Sequence, residues 1–187
     1  MEIDALITRI YNLPEASAEL LKSYITEEAY PKGHILLREG RLEQYIYFIR
    51  SGIARAYSET GNGEVTFWFG SEGDTVVSMK SYVANEEGYE NIELLENSKL
   101  FAIETASLRK LFETDIHIAN WGRKFAEYEL VKTEQRLIDL QVLTATERYR
   151  KLIAENPGLL QRVQLSHIAS YLGITPGSFS RIRAELK

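Results

Sequence analysis

The chain contains no cysteine among its 187 residues. That absence excludes a disulfide framework, a thiol nucleophile, and any iron–sulfur or zinc site built on thiolates. Histidine is nearly as scarce, with His34, His117 and His167 far apart in the chain. No apolar stretch approaches the roughly 18 residues that span a bilayer. The start, Met1-Glu2-Ile3-Asp4, lacks the basic and apolar regions of a secretory signal. The expected location is therefore cytoplasmic. Positive charge is in deficit overall, the net being −5, yet the deficit is uneven. Residues 1–131 carry 13 Lys/Arg against 22 Asp/Glu, whereas residues 132–187 carry 9 against 5. A basic end on an acidic body suggests an anion-binding module beside a different one. With 44% hydrophobic and 26% charged residues, the composition is that of an ordinary soluble globular protein of one large or two small domains.

The apolar spacing divides the chain into three parts. Over residues 4–28, Leu6, Ile10, Leu13, Leu20, Leu21 and Ile25 recur at helical intervals. Over 29–103 the pattern changes to short apolar runs at 35–37, 45–49, 53–57, 65–69 and 100–103. Turn signals such as Pro31-Lys32-Gly33, Ser51-Gly52, Gly61-Asn62-Gly63 and Glu72-Gly73-Asp74 separate them. Short strands between glycine-rich turns predict an all-β sandwich or barrel. From Ser107 the helical period returns. Ile118, Trp121, Phe125, Tyr128, Val131, Leu137 and Ile138 lie on a long helix ending near Leu143. It carries more apolar surface than one small domain needs, which predicts a dimer seam over 116–143; the alternative is packing on its own β domain alone. Thr144 or Thr146 caps a further helix through Ile153, which Asn156-Pro157-Gly158 ends.

The segment from Leu165 to Ile182 meets the requirements of a helix-turn-helix. Ala169 is the small residue where the helices cross, and Gly173, four later, suits a positive φ in the turn. Ile168, Leu172, Ile174, Phe179 and Ile182 pin the two helices together. Thr175 is an N-cap and Pro176 a first-turn proline. Gly177, Ser178, Ser180, Arg181 and Arg183 remain outward. Arg181 is placed to read a guanine edge with two hydrogen bonds. Ser178, Ser180 and Arg183 are candidates for flanking base or phosphate contacts, and Gln164 and Ser166 for backbone positioning, with Thr175 among the DNA-facing set. The competing reading is a helical hairpin with solvated arginines.

With these motifs placed, the chain resembles the CRP/FNR superfamily. Pro31-Lys32-Gly33-His34-Ile35-Leu36-Leu37-Arg38-Glu39-Gly40 is similar to the family's opening strand and turn. Tyr47-Phe48-Ile49-Arg50-Ser51-Gly52 and Gly73-Asp74 resemble the strand and turn that follow, and Leu172-Gly173-Ile174-Thr175 with Arg181 resembles its recognition segment. The resemblance implies an α+β fold: an N-terminal β-roll (double-stranded β-helix or jelly roll) over 1–112, a long dimerisation helix over 113–143, and a C-terminal winged-helix-like helix-turn-helix over 144–187. It implies double-stranded DNA, a second copy of the chain, an unidentified small-molecule effector and RNA polymerase as partners, with no membrane, metal or cofactor. Relatives often add a closing β element after the recognition helix; here 158–164 leaves room only for a small wing.

The departures concern the effector. Cyclic-nucleotide binders of the family carry a Gly-Glu pair after the Gly-Asp turn; Val77 and Ser78 stand there. Where they hold the cyclic phosphate with Arg and Ser or Thr, this chain has Glu87-Gly88-Tyr89-Glu90-Asn91, without a cation. A phosphate among carboxylates lacks its charge-assisted partners, so cyclic AMP is not the expected effector. The expected pocket is Phe67, Val77, Ser78, Met79 and Asn91 from the roll, with Glu127 and Tyr128 from the helix. The lack of cysteine excludes the oxygen-sensing iron–sulfur variant. A cupin-type enzyme would need two or three histidines and a glutamate converging on a metal, which three scattered histidines do not supply. Ser107-Leu108-Arg109-Lys110 fits Ser-x-x-Lys but reads as a helix start with a capping serine. No catalytic constellation is visible, and the chain is expected not to be an enzyme. The remaining alternative is a protein-binding module, its Tyr and Phe residues lining an interaction surface.

Overall fold

The structure is a computed structural model and describes residues 1–61 and 63–185. Asn62 of the expected Gly61-Asn62-Gly63 turn, and the last two residues of the expected 144–187 domain, lie outside the described residues. Two short helices, α1 (Ile3–Ile10) and α2 (Glu15–Lys22), open the chain, with Pro14 at φ −56° setting the start of the second. The helical spacing expected through residue 28 gives way at β1 (Thr26–Tyr30). Its pairing with a strand seventy residues later, Thr26 opposite Ala102 and Tyr30 opposite Ser98, overrides the local pattern.

The remaining strands are β2 (Ile35–Leu37), β3 (Tyr45–Ser51), β4 (Ala54–Thr60), β5 (Gly63–Gly70), β6 (Thr75–Val76), β7 (Asn91–Leu94) and β8 (Ser98–Glu104). Two four-stranded sheets result, in the orders β1-β8-β3-β6 and β2-β7-β4-β5, so β5 is an edge strand. A single π-helical turn, Lys80–Ala84, precedes β7 and closes on Asn85 in the left-handed region at φ 57°. After the roll come α3 (Thr105–Thr114), α4 (Ile116–Val142), α5 (Ala145–Glu155), α6 (Leu159–Arg162), α7 (Leu165–Tyr171) and α8 (Pro176–Glu185). The N-cap of α3 is Glu104, not Ser107, whose hydroxyl instead donates to the Glu104 carboxylate at 2.9 Å.

The chain divides into two compact units, and the divisions fall inside β4, β5 and α4. The first comprises Met1–Ala56 and Phe69–Leu130. Its core joins Leu6, Ile7, Phe48, Phe101, Leu111, Ile118 and Trp121. Trp121 donates through Nε1 to the Ile7 carbonyl at 3.1 Å and stacks on Phe125, while Phe48 meets both rings edge-on at 6.0 Å. Gly122 lets α4 approach α3: a Cβ there would stand 2.4 Å from the Phe112 ring. The first half of α4 thus packs on its own β domain. The second half is open, with Leu130 70% and Val142 71% exposed and Val131, Leu137 and Ile138 exposed between them; Tyr128, just before Leu130, is exposed as well.

The second unit comprises Tyr57–Trp68 and Val131–Lys187. Tyr57, Tyr149, Leu152, Leu159, Val163, Ile168, Ala169, Leu172 and Phe179 are its buried apolar residues among those described. Thr144 opens α5 with a full capping box: its hydroxyl accepts from Glu147 N–H at 3.3 Å, and its own N–H donates to the Glu147 carboxylate at 2.8 Å. Between α5 and α7, where a small wing had room, the described residues form α6.

Candidate nucleic-acid interface and effector cavity

The path from α7 to α8 follows from four local choices. Gly173 takes φ +69°, which a residue with a side chain adopts with strain. Ile174 N–H then donates to the Ala169 carbonyl at 3.1 Å, closing the turn over a fully buried Ala169. Thr175 accepts from Ser178 N–H at 3.2 Å, and Pro176 is the first residue of α8. Phe179 anchors the second helix, edge-on to Tyr149 at 5.0 Å.

The expected DNA-facing residues sit on or beside these two helices. Gln164, Ser166, Thr175, Ser180 and Arg181 are exposed; Ser178 and Arg183 are half-buried. Several are engaged with their own helix. Ser180 donates back to the Pro176 carbonyl at 3.0 Å, Thr175 and Ser178 hydroxyls meet at 3.1 Å, and the Arg183 guanidinium stands 5.9 Å over the Phe179 ring. Arg181 makes no hydrogen bond or ion pair among the described residues, so its five donors are available to a ligand.

Two further arginines, invisible to motif reasoning, act from behind. Arg136 donates to the Tyr171 carbonyl and lies 3.6 Å above the Tyr171 ring. Arg148 donates to the carbonyls of Leu143 at 2.5 Å and Leu172 at 2.8 Å. Burial pulls the Arg136 guanidinium below its ordinary value, and burial pushes the Tyr171 phenol up. Nearby, Lys151 pairs with Asp139 at 2.6 Å; burial acts upward on Asp139, but the hydrogen bonds from Lys151 and Gln135, with the charges of Lys151 and Arg136, together hold the carboxyl below its usual range.

In the first unit a cavity of about 660 Å³ is lined by Glu39, Gly40, Leu42, Lys80, Asn85, Glu86, Glu87, Gly88 and Tyr89. Its one lysine pairs with Glu86 at 3.3 Å, which leaves the lining acidic. None of the seven expected effector residues lines it. Asn91 supports its wall by accepting from Glu39 N–H at 3.2 Å. Ser78 is buried beside Gly88, and its hydroxyl has no partner among the described residues. Val77 packs against the core, and Met79 is exposed. Glu127 and Tyr128 are exposed, and Glu127 pairs with Lys124 at 2.9 Å and with Arg123. Lys124 first, then Arg123, holds its carboxyl below the usual range. Phe67 belongs to the second unit.

Residues 27–115 match the cyclic nucleotide-binding domain family. The chain is similar in structure to FixK2 from Bradyrhizobium japonicum, with TM-score 0.73 and 22% identity over 87% of this chain and 84% of that one. The catabolite activator protein of Thermus thermophilus aligns with TM-score 0.60 and 20% identity over 95% of this chain and 85% of its own. CLP of Xanthomonas campestris, described as a c-di-GMP-responsive global regulator, aligns with TM-score 0.68 and 17% identity over 92% and 91%. The chain has the fold of the CRP/FNR regulators. The matched residues 27–115 span β1–β8 and α3, and the helix pair α7–α8 lies C-terminal to them. Among curated proteins none matches the sequence. No helix of the described residues is long and apolar enough to cross a membrane.

Proposed function

We propose that the protein is a sequence-specific DNA-binding transcriptional regulator of the CRP/FNR type, working as a homodimer and answering to a small molecule other than cyclic AMP. The observation that carries this reading is the capped, glycine-turned pair α7–α8, with Arg181 exposed and unengaged on its second helix. Each copy places α8 in a major groove, and two heads spaced about 34–36 Å apart read a palindromic site. Arg181 reads a guanine; Ser178, Ser180 and Arg183 make flanking contacts, Gln164 and Ser166 face the backbone, and Thr175 completes the DNA-facing set. Tyr128, Val131, Ile138 and Val142 form the seam, since they recur at alternating steps of three and four, with Gln135 among them, on an open helix face. The acidic lining of the cavity favours an effector that brings no phosphate. The expected pocket residues Ser78 and Asn91 stand at its edge.

The test is selection of bound sequences from a random duplex library at near-physiological salt. A two-fold symmetric motif with half-sites one helical turn apart is the expected recovery. No enrichment, with or without candidate effectors, would leave the protein-binding alternative. On the recovered site Arg181→Ala lowers affinity by about 1–3 kcal/mol and relaxes specificity at one position. Cyclic AMP gives no thermal stabilisation, whereas a true ligand at 100 times its Kd adds about 2.7 kcal/mol.

A further inference from the structure

Three consecutive residues at the end of α7 are each held by a different element. The Ser170 hydroxyl accepts from Thr66 N–H at 2.9 Å and donates to the Glu64 carbonyl at 3.2 Å, both on β5. The Tyr171 carbonyl accepts from Arg136 of α4. The Leu172 carbonyl accepts from Arg148 of α5 at 2.8 Å. This is the helix end from which the turn to the reading helix departs, so whatever holds residues 170–172 sets the direction of α8.

The three ties are not equivalent. Arg136 and Arg148 are partly sunk, each has a buried Nε with no partner, and neither forms an ion pair with a carboxylate among the described residues. Letting go of a carbonyl would leave a desolvated charge with one partner fewer, so these grips persist. Arg136 also loses its place over the Tyr171 ring if it lets go. The serine tie is neutral and about half as strong per bond as a charge-assisted one. It works because alternate backbone groups on one side of a strand point the same way. One hydroxyl, donor and acceptor at once, thereby stands in for the partner strand that the β5 edge lacks. If α4 shifts while β5 stays, one tie at this helix end must yield, and the serine yields first.

Resting on the DNA-binding function proposed above, we infer that Arg136 is a positioning residue that makes α7 and α8 turn with α4, and that Ser170 is a releasable catch holding the same helix end to the β5 edge. The arrangement with the catch closed is then the restrained one.

The experiment uses the full chain, hydrogen exchange by NMR, and two duplexes: the one recovered by selection and a duplex carrying a single half-site from it. In Ser170→Ala the Thr66 amide exchanges about tenfold faster, the α8 amides are unchanged, and affinity for the full site rises severalfold with the half-site unaffected. In Arg136→Met affinity for the full site falls about tenfold or more while the half-site loses less than threefold, and Gly173 and Ile174 amides exchange faster. Arg136→Lys, which keeps the charge but not the planar stack, falls between. Equal losses on both duplexes would reduce Arg136 to a folding role and overturn the positioning claim. An unchanged Thr66 amide in Ser170→Ala would overturn the catch. If the unaltered chain preferred neither duplex over random DNA, the DNA-binding function and the steering of it would fall together, while the two exchange measurements would still decide whether the ties hold this joint.

Discussion

The two compact units are closed by different chemistry. In the first, large apolar side chains interlock: Trp121, Phe48 and Phe125 meet ring to ring, and α1 lies under them through Leu6 and Ile7. The second has fewer large buried residues and relies on charged side chains that reach carbonyls at helix ends, Arg136 to Tyr171 and Arg148 to Leu143 and Leu172. An interdigitated core has one good arrangement and resists change. Hydrogen-bonded ties can be exchanged one at a time, which suits a part that must be re-aimed. Under the proposed function the first unit can be rigid, whereas the second needs a choice of positions.

Trp121→Ala gives the largest effect, a destabilisation of about 3–5 kcal/mol in urea unfolding. Its exchange signature is confined to first-unit amides; equal loosening around Tyr149 and Phe179 would erase the contrast. Arg148→Met costs about 1.5–3 kcal/mol, because two partly buried carbonyls lose a charged donor, and that loss is concentrated in the second unit. A change under about 0.5 kcal/mol would mean that apolar contacts alone close that unit. Thr144→Ala removes the α5 cap at about 1 kcal/mol. The hydrogen bond from the Thr144 hydroxyl, followed by that from its N–H, holds the Glu147 carboxyl below the ordinary glutamate range. A depressed carboxyl contributes stability above its unfolded value and loses it as pH falls through the lower folded one. Thermal melts of the unaltered chain therefore lose this contribution below about pH 4, and Thr144→Ala melts show a shallower dependence there. The smallest effect is that of Arg181→Ala on stability, within about 0.5 kcal/mol, as befits an exposed residue that makes no hydrogen bond or ion pair among the described residues.

Much of this could be read from the sequence where the physics is local. The turn at Gly173, the cap at Thr175 and the proline at 176 specify α7–α8 within a dozen residues, and the structure follows them. The long helix was legible from its spacing. That its first half is claimed by the roll was not, because Trp121 meets Ile7 across more than a hundred residues. β1 escaped because Thr26-Glu27-Glu28-Ala29-Tyr30 is a polar edge strand defined by its partner, and β6 because two residues carry no period. The arginine ties share that fate: an arginine on a helix surface has the same local pattern whether it grips a carbonyl or water. The cavity lining was missed for a related reason, since residues 39–42 and 80–89 come together only through the sheet.

Gly122 has a consequence for inheritance. It has no side chain, yet even alanine there would press on the Phe112 ring. The two positions therefore drift as a pair: a larger residue at 122 becomes tolerable once 112 has shrunk. Gly122→Ala alone should unfold earlier on heating, and Gly122→Ala with Phe112→Leu should recover part of that loss. A lineage descended from this chain would lose its glycine at least cost after giving up its phenylalanine.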